Sequence, residues 1–207
     1  MVLSQTKFIF SFKKIKSMKK IYSIFTSVLQ TAAFALCVAA FLFPSGSKAA
    51  WTYTLASPTP SVPAANSCPG VLKVPVYYFT LTMAGNNPAC NFTTINFTTL
   101  AGYAATSLSN FQLYRHTVNN LAAATPMWST AASLGPGAHS LTGTAFALGA
   151  NGTTYHFWIT MDLAAGAVGG NQVTVPALTL GDIVINSAGT CSKVGGMNAG
   201  GTQTIIG

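Results

Sequence analysis

The chain has 207 residues, of which 50% are hydrophobic, and a formal net charge of +8. Most of that charge lies in the first 50 residues, because beyond residue 49 only Lys73, Arg115 and Lys193 oppose Asp162 and Asp182. A nearly uncharged remainder excludes nucleic-acid binding, which needs clustered cations to neutralise phosphates.

Residues 1–49 have the pattern of an export signal. A lysine-rich start leads into an apolar run, Ile21 to Phe43, and then into small residues. Ser47 and Ala49 stand at the minus three and minus one positions of a cut after Ala49, which predicts cleavage there. An uncleaved anchor is the alternative, because the run reaches the ~20 residues that span a bilayer. We therefore expect a bacterial protein that is secreted or held at the cell surface, with membrane contact only through the leader during export.

A proline-rich extension, residues 50–70, precedes the predicted folded domain, residues 71–207. The prolines of segment 57–70 remove hydrogen-bond donors and fix φ, so an extended lead-in is expected there. Ahead of it, Trp51, Tyr53 and Leu55 alternate with small residues in the manner of a short strand.

The domain itself shows short segments of alternating apolar and polar residues between Gly, Pro and Asn turns, which is typical of strands. Alternation is strongest over Thr153 to Leu163, which predicts a central strand entered by a hairpin-type turn at Ala150-Asn151-Gly152. The other predicted strands are 71–83, 91–99, 108–116, a short edge strand at 127–130, 139–148, one long or bent strand over 172–180 and 182–186, and 202–206. Seven or eight strands predict an all-β, antiparallel two-sheet sandwich, immunoglobulin-like or jelly-roll-like, with a glycine-rich C-terminal tail.

The inward face of these strands predicts the core. Burial of a large apolar side chain stabilises a fold by about 1.5 to 3 kcal/mol. The predicted core residues are Phe79, Ile95, Phe97, Phe111, Leu113, Phe146, Tyr155, Phe157 and Ile159.

Four stretches carry a resemblance to a known family: LSNFQLY at 108–114, residues 143–148, NGTTYHFWITMD at 151–162, and GNQV at 170–173. With them, the run from about Val74 to Ile185 resembles the non-catalytic β-sandwich domain at the N-terminus of some bacterial BNR-repeat sialidases and other multidomain surface proteins. The resemblance implies an extracellular module and supplies no catalytic residue.

Three cysteines, Cys68, Cys90 and Cys191, follow the predicted leader. An odd number in an exported chain predicts one disulfide and one free or intermolecular thiol. Cys68 and Cys90 bracket the first strand of the domain, which spans about 30 Å at about 3.3 Å per residue, so they are poor partners for each other. Cys191 is predicted to pair with one of them, with Cys90 preferred to Cys68.

No catalytic constellation is predicted. Glycoside hydrolysis usually needs two carboxylates flanking a bond, and Asp162 and Asp182 are interpreted as a backbone cap and a bend residue. His116, His139 and His156 share no metal-ligand spacing, and no Gly-x-Ser-x-Gly elbow is present. Neither a catalytic residue nor a metal nor a cofactor is therefore expected.

The preferred function is a self-assembling structural subunit, a homo-oligomer or homopolymer, of a surface filament or matrix. Trp51, Tyr53 and Leu55 would add a strand to a neighbouring subunit. The competing interpretation is that this segment pairs with its own domain.

The alternative function is carbohydrate binding or adhesion through exposed aromatic side chains, on which sugar rings could stack. The candidate platform consists of Trp158, Trp128, Tyr114 and Tyr78. Against it, these side chains could fill the second side of the sandwich or an interface. A third function, a monomeric scaffold that binds another surface protein, stays open.

Overall fold

The computed structural model describes residues 51–85, 90–149, 151–187 and 191–207, and these form twelve strands and two 3₁₀ turns. The strands are β1 (Trp51–Ala56), β2 (Ala65–Ser67), β3 (Val74–Ala84), β4 (Cys90–Thr99), β5 (Leu108–His116), β6 (Thr125–Thr130), β7 (Gly137–Ala147), β8 (Thr154–Leu163), β9 (Gln172–Val173), β10 (Ile183–Ser187), β11 (Cys191–Gly196) and β12 (Gln203–Ile205). The turns are η1 (Ala105–Ser107) and η2 (Leu180–Asp182). The predicted export signal lies outside the described residues, and within them no helix has the length and hydrophobicity to cross a membrane.

The largest sheet has six strands in the order β11-β1-β3-β8-β5-β6. β8 lies between β3 and β5 and pairs antiparallel with both, which confirms the central strand. Its alternation places Phe157, Ile159 and Met161 on one face, where none is more than 1% exposed. β6 forms an edge of the sheet, as predicted for residues 127–130.

A second sheet, in the order β10-β4-β7, packs against this face. The ring of Phe92 on β4 lies 5.2 Å from that of Phe157, and the ring of Phe97 lies 5.3 Å from that of Phe111 on β5. The core fills the space between the two sheets, so the all-β sandwich is confirmed. A third sheet, in the order β2-β12-β9, contains strands of only two or three residues.

Strand number and direction differ from the prediction of seven or eight antiparallel strands. The described residues contain twelve strands, and β1 pairs parallel with β11, as does β2 with β12. Alternation shows which face a side chain occupies, but it carries no information on the direction of the neighbouring strand. The glycine-rich residues of β11 lack alternation altogether, so the pattern does not predict that strand.

Residues 172–186 do not form the single long or bent strand that was expected. They contribute β9 to the third sheet and β10 to the second. Pro176, which lies between them, has no N–H for a strand ladder. The prediction of a hairpin at residues 150–152 is also wrong, because β7 and β8 belong to different sheets. Gly152 does adopt a positive φ of 80°. Ala150 lies outside the described residues.

The proline-rich segment 57–64 lies against the domain instead of leading up to it. The N–H of Ser61 donates to the carbonyl of Ala199, and the N–H of Gly201 donates to the carbonyl of Val62. Val62 is only 5% exposed. β1 likewise lies inside the six-stranded sheet, between β3 and β11.

The predicted core is largely confirmed. Seven of its nine residues belong to the buried cluster, and Phe146 and Tyr155 pack against that cluster while partly buried. The core residues missed by the prediction include Tyr53 and Leu55, which β1 adds from the presumed extension.

Candidate functional site

Tyr78 and Trp158 lie at the centre of the outer face of the six-stranded sheet, the face turned away from the second sheet. They are partners on β3 and β8, and their ring centroids are 5.3 Å apart. The imidazole of His156 stacks on the same face, 5.9 Å from the ring of Tyr78. Alternation places all three residues opposite the core.

These side chains are covered by other residues. The prediction that they form a solvent-exposed platform is therefore wrong. Val62 and Ala124 pack on the pair, and Trp158 is 4% exposed and Tyr78 9%. Tyr114 is partly buried at the margin of the same cluster. Alternation identifies the outer face, but it does not reveal that irregular segments lie over it.

Trp128, the fourth predicted platform residue, belongs to the main core and is 6% exposed. Its ring is 4.8 Å from that of Phe92, and its Nε1 donates to the carbonyl of Thr144 at 3.2 Å. The structure therefore does not bring Trp128 together with the other three predicted aromatics.

Beside the covered aromatics, a groove of about 610 Å³ opens on the outer face. Tyr78 and Trp158 contribute to its lining, together with Val62 from the proline-rich segment and Val71 and Leu72 from the start of the domain. Val71 is 41% exposed and Leu72 68%, so the rim of the groove is apolar as well. The size falls in the range of about 300 to 1,000 Å³ that is usual for small-molecule sites.

Of the residues that the structure describes, Lys73 is the only charged one that lines this groove. Its backbone, at a φ of 60°, donates its N–H to Oδ1 of Asp162 at 2.8 Å. Its Nζ lies 4.2 Å from the ring centroid of Tyr114 and 3.5 Å from the carbonyl oxygen of Ala124. Within the described residues no carboxylate forms an ion pair with this ammonium group, since Asp162 binds the backbone of Lys73 instead.

Ser61 also lines the groove and is 3% exposed. Its buried hydroxyl has no hydrogen-bond partner among the described residues. Neither Ser61 nor Lys73 is identified by sequence reasoning, because a lone serine between prolines and a single lysine form no motif.

The polar groups of the aromatic cluster are bonded to each other. The hydroxyl of Tyr78 and Nδ1 of His156 are hydrogen-bonded at 2.6 Å. Burial raises the pKa of Tyr78, and burial, followed by the charge of His116, lowers the pKa of His156. The pair is therefore held neutral.

A second candidate site is the β1 slot, the space between β3 and β11 that β1 occupies. Tyr53 and Leu55 point into the core with no exposed surface, while Trp51 is partly buried. Leu55 is the register partner of Leu81 on β3 and of Gly195 on β11. A side chain at Gly195, whose φ is 110°, would collide with the carbonyl of Leu55, so β11 approaches β1 closely only because it has glycine there.

The walls of the β1 slot are held by contacts that do not involve β1. β3 pairs with β8 on its other side. β11 is joined to β4 by the predicted disulfide between Cys90 and Cys191, which is confirmed. Nζ of Lys193 on β11 also donates to the carbonyls of Leu180 and Ile183, at 2.6 and 2.5 Å. Burial lowers the pKa of Lys193, and Asp182 opposes that effect.

The remaining titratable groups do not form a reactive cluster. Among the described residues no group of three or more His, Cys, Asp or Glu side chains is placed to hold a metal ion. Nε2 of His139 is 2.8 Å from Oγ1 of Thr99, and that oxygen is 2.7 Å from the hydroxyl of Tyr103. These three hydrogen-bonded side chains are buried in the core. The carboxylate of Asp182 accepts a hydrogen bond from the N–H of Thr179, the residue before η2. Cys68 has a free, exposed thiol.

No protein-family model matches the sequence, and no curated protein matches it. Solved structures with partial similarity include the Hadza microbial sialidase Hz136, at 7% identity and a TM-score of 0.45, where the match covers 73% of this chain and 31% of the sialidase. The CaDoc0917–CaCohA2 complex matches at 10% identity and a TM-score of 0.31, over 74% of this chain and 99% of the other. The sixth cohesin of Acetivibrio cellulolyticus scaffoldin B matches at 13% identity and a TM-score of 0.24, over 75% and 99%. The fold is a β-sandwich, and the sialidase-associated family stays a prediction.

Proposed function

We propose that this protein is a non-catalytic, extracellular structural module that self-assembles by exchange of β1 between copies. The observation that carries the proposal is the β1 slot, whose two walls are anchored to the rest of the domain independently of the strand between them. Removal of β1 therefore leaves a preformed acceptor for another copy of the same strand.

Exchange requires no new side-chain contacts. A β1 strand from a second copy would place Tyr53 against Met83 and Leu55 against Leu81, as the chain's own strand does. Because the contacts are identical, exchange costs chiefly the entropy of association and the release of segment 57–64. That segment is attached by hydrogen bonds of Ser57 with Asn198, of Ser61 with Ala199, of Val62 with Gly201 and of Pro63 with Gln203, all of which exchange must break.

Charge and compartment support the same function. Beyond residue 49 the three cations nearly balance the two carboxylates, so electrostatic repulsion between copies is weak. A disulfide is typical of an oxidising, extracellular compartment. Together with the lysine-rich leader pattern, it supports a secreted or cell-surface location.

Cysteine cross-linking distinguishes exchange from pairing within one chain. Thr54 on β1 and Thr82 on β3 are register partners on the outer face, so cysteines at both positions can be joined across the strand pair. The matched control is Thr94→Cys with Thr142→Cys, whose side-chain oxygens lie 3.0 Å apart on β4 and β7, away from β1. Both pairs are placed in a Cys68→Ser background that removes the free thiol.

The full chain is expressed with its leader, and the exported protein is purified, sized by light scattering and inspected by negative-stain microscopy before oxidation. We expect ordered oligomers or filaments in which the Thr54/Thr82 pair gives a ladder of covalent multimers on a non-reducing denaturing gel. The Thr94/Thr142 pair should give single chains from the same assemblies. Single chains from both pairs, or a monomer at every concentration, would reject strand exchange.

Carbohydrate binding, the alternative function, is weakened by the burial of Trp158, Trp128 and Tyr78, which leaves only Tyr114 partly accessible. A glycan array with neutral and acidic sugars tests it directly. Binding that is lost in a folded Trp158→Ala variant would restore this function.

A further inference from the structure

We propose that the outer-face groove is a binding site for a small amphipathic carboxylate. The apolar body of the ligand would lie against Tyr78, Trp158 and Val62, and its carboxylate would meet the ammonium group of Lys73. The groove shares segment 57–64 with the hinge of strand exchange, so it belongs to a copy in which that segment lies against the domain, and the inference does not rest on exchange.

The shape and lining of the groove select a mainly apolar ligand. Its volume of about 610 Å³ is sufficient for a molecule of drug or fatty-acid size. Pro58, Val62, Val71 and Leu72 surround the two aromatic rings and offer few hydrogen bonds.

Charge complementarity selects an anion. Among the described residues, Lys73 carries the only charge in the lining, and its ammonium group contacts a carbonyl oxygen and an aromatic ring but no carboxylate. Asp162, the acidic residue nearest in the hydrogen-bond network, is engaged by the backbone N–H of Lys73. A ligand carboxylate supplies the missing counter-charge.

The test compares three probes that share one apolar chain: decanoate, 1-decanol and decylammonium. Binding to the exported protein is measured by isothermal titration calorimetry below the concentrations at which the probes form micelles. We expect decanoate to bind about fivefold or more tightly than 1-decanol, as one partly exposed ion pair would provide, and decylammonium to bind more weakly than either. Added salt should weaken the binding of decanoate and leave that of 1-decanol unchanged.

Two variants localise the effect. Lys73→Met retains an apolar side chain of similar length, so decanoate affinity should fall about fivefold while 1-decanol affinity is unchanged. Lys73→Arg keeps the charge at the same backbone position and should stay within about twofold of the unmodified protein.

Equal affinity for decanoate and 1-decanol would overturn the proposal, as would no measurable binding of decanoate. An affinity for decanoate that is unchanged by Lys73→Met in a folded protein would also overturn it. The melting temperature of each variant, followed by circular dichroism, separates loss of binding from loss of the fold.

Discussion

The two faces of the six-stranded sheet are both rich in aromatic residues, but they are buried in different ways. On the inner face, Tyr77, Phe79 and Phe157 have no exposed surface because they pack into the main core, to which the second sheet contributes side chains such as Phe92. On the outer face, Tyr78 and Trp158 are covered by irregular segments that leave a groove beside them. A regular partner sheet completes the packing, whereas a loop covers aromatic rings and still leaves space for a ligand.

Truncation of one aromatic residue on each face tests most directly whether the inner face is the better packed. Phe157→Ala removes a ring that lies 5.1 Å from Phe79 and 5.2 Å from Phe92, and should lower the free energy of unfolding by about 3 to 5 kcal/mol. Trp158→Ala should cost about 3 kcal/mol or less, because one side of its ring already borders a groove and has fewer atoms to lose. Urea denaturation of both variants measures the difference. A greater loss at Trp158 would show that the outer face is the better packed.

The disulfide and the free cysteine should also differ in their effect on stability. The disulfide between Cys90 and Cys191 connects the two sheets of the sandwich and encloses a sequence separation of 101 residues. Replacing both cysteines by alanine should therefore lower the free energy of unfolding by about 2 to 5 kcal/mol. Cys68→Ser, at an exposed thiol, should change it by about 0.5 kcal/mol or less. Similar effects of the two changes in chemical denaturation would mean that the disulfide does not stabilise the fold.

Neighbouring tyrosines on β3 offer a finer comparison. Tyr77 points inward, where its hydroxyl accepts from the N–H of Leu178 at 3.2 Å. Tyr77→Phe leaves that buried N–H unpaired and should cost about 1 to 3 kcal/mol. Tyr78→Phe on the outer face removes the bond to His156, which water can replace, and should cost about 0.5 to 1 kcal/mol. The order of the two costs in urea denaturation is the decisive result, and its reversal would contradict the assignment of the faces.

A histidine on either side of the six-stranded sheet, His139 on β7 of the second sheet and His156 on β8, makes stability depend on pH. Burial lowers the pKa of His139 on the inner side and of His156 on the outer side below the ordinary value of 6.5. Since the unfolded chain then binds protons that the folded chain does not, stability is fully present above about pH 6.5 and falls as the pH decreases towards the folded pKa values. We expect a lower melting temperature at about pH 5 than at about pH 7.5.

His139→Phe tests whether His139 contributes to this pH dependence. The new ring would occupy the position between Phe97 and Phe111 without a titratable group, so the decrease in melting temperature on acidification should become smaller. An unchanged pH dependence in both His139→Phe and His156→Phe would show that neither histidine causes it.

The candidate sites were only partly accessible to sequence reasoning. Strand length argued against a bond between Cys68 and Cys90, and the pairing of Cys90 with Cys191 was preferred while Cys68 stayed open as the partner; the structure has the preferred pair. The groove could not be predicted from the sequence. Its walls come from a proline-rich segment that was interpreted as an extension and from Lys73, a lone cation. The exposed aromatic platform was expected because the second face of a sheet usually meets solvent, and here segment 57–64 covers that face.

Alternation along single strands was enough to determine that this protein is a β-sandwich with β8 at its centre and with Phe157 and Ile159 inside. That information is local, since successive side chains of a strand point to opposite faces whatever lies beyond them. The tertiary structure alone decided that β1 lies parallel to β11 and that a groove opens beside Trp158. Those features depend on contacts between residues about 140 positions apart, such as Trp51 with Cys191 and Ser61 with Ala199, for which a single sequence carries no signal.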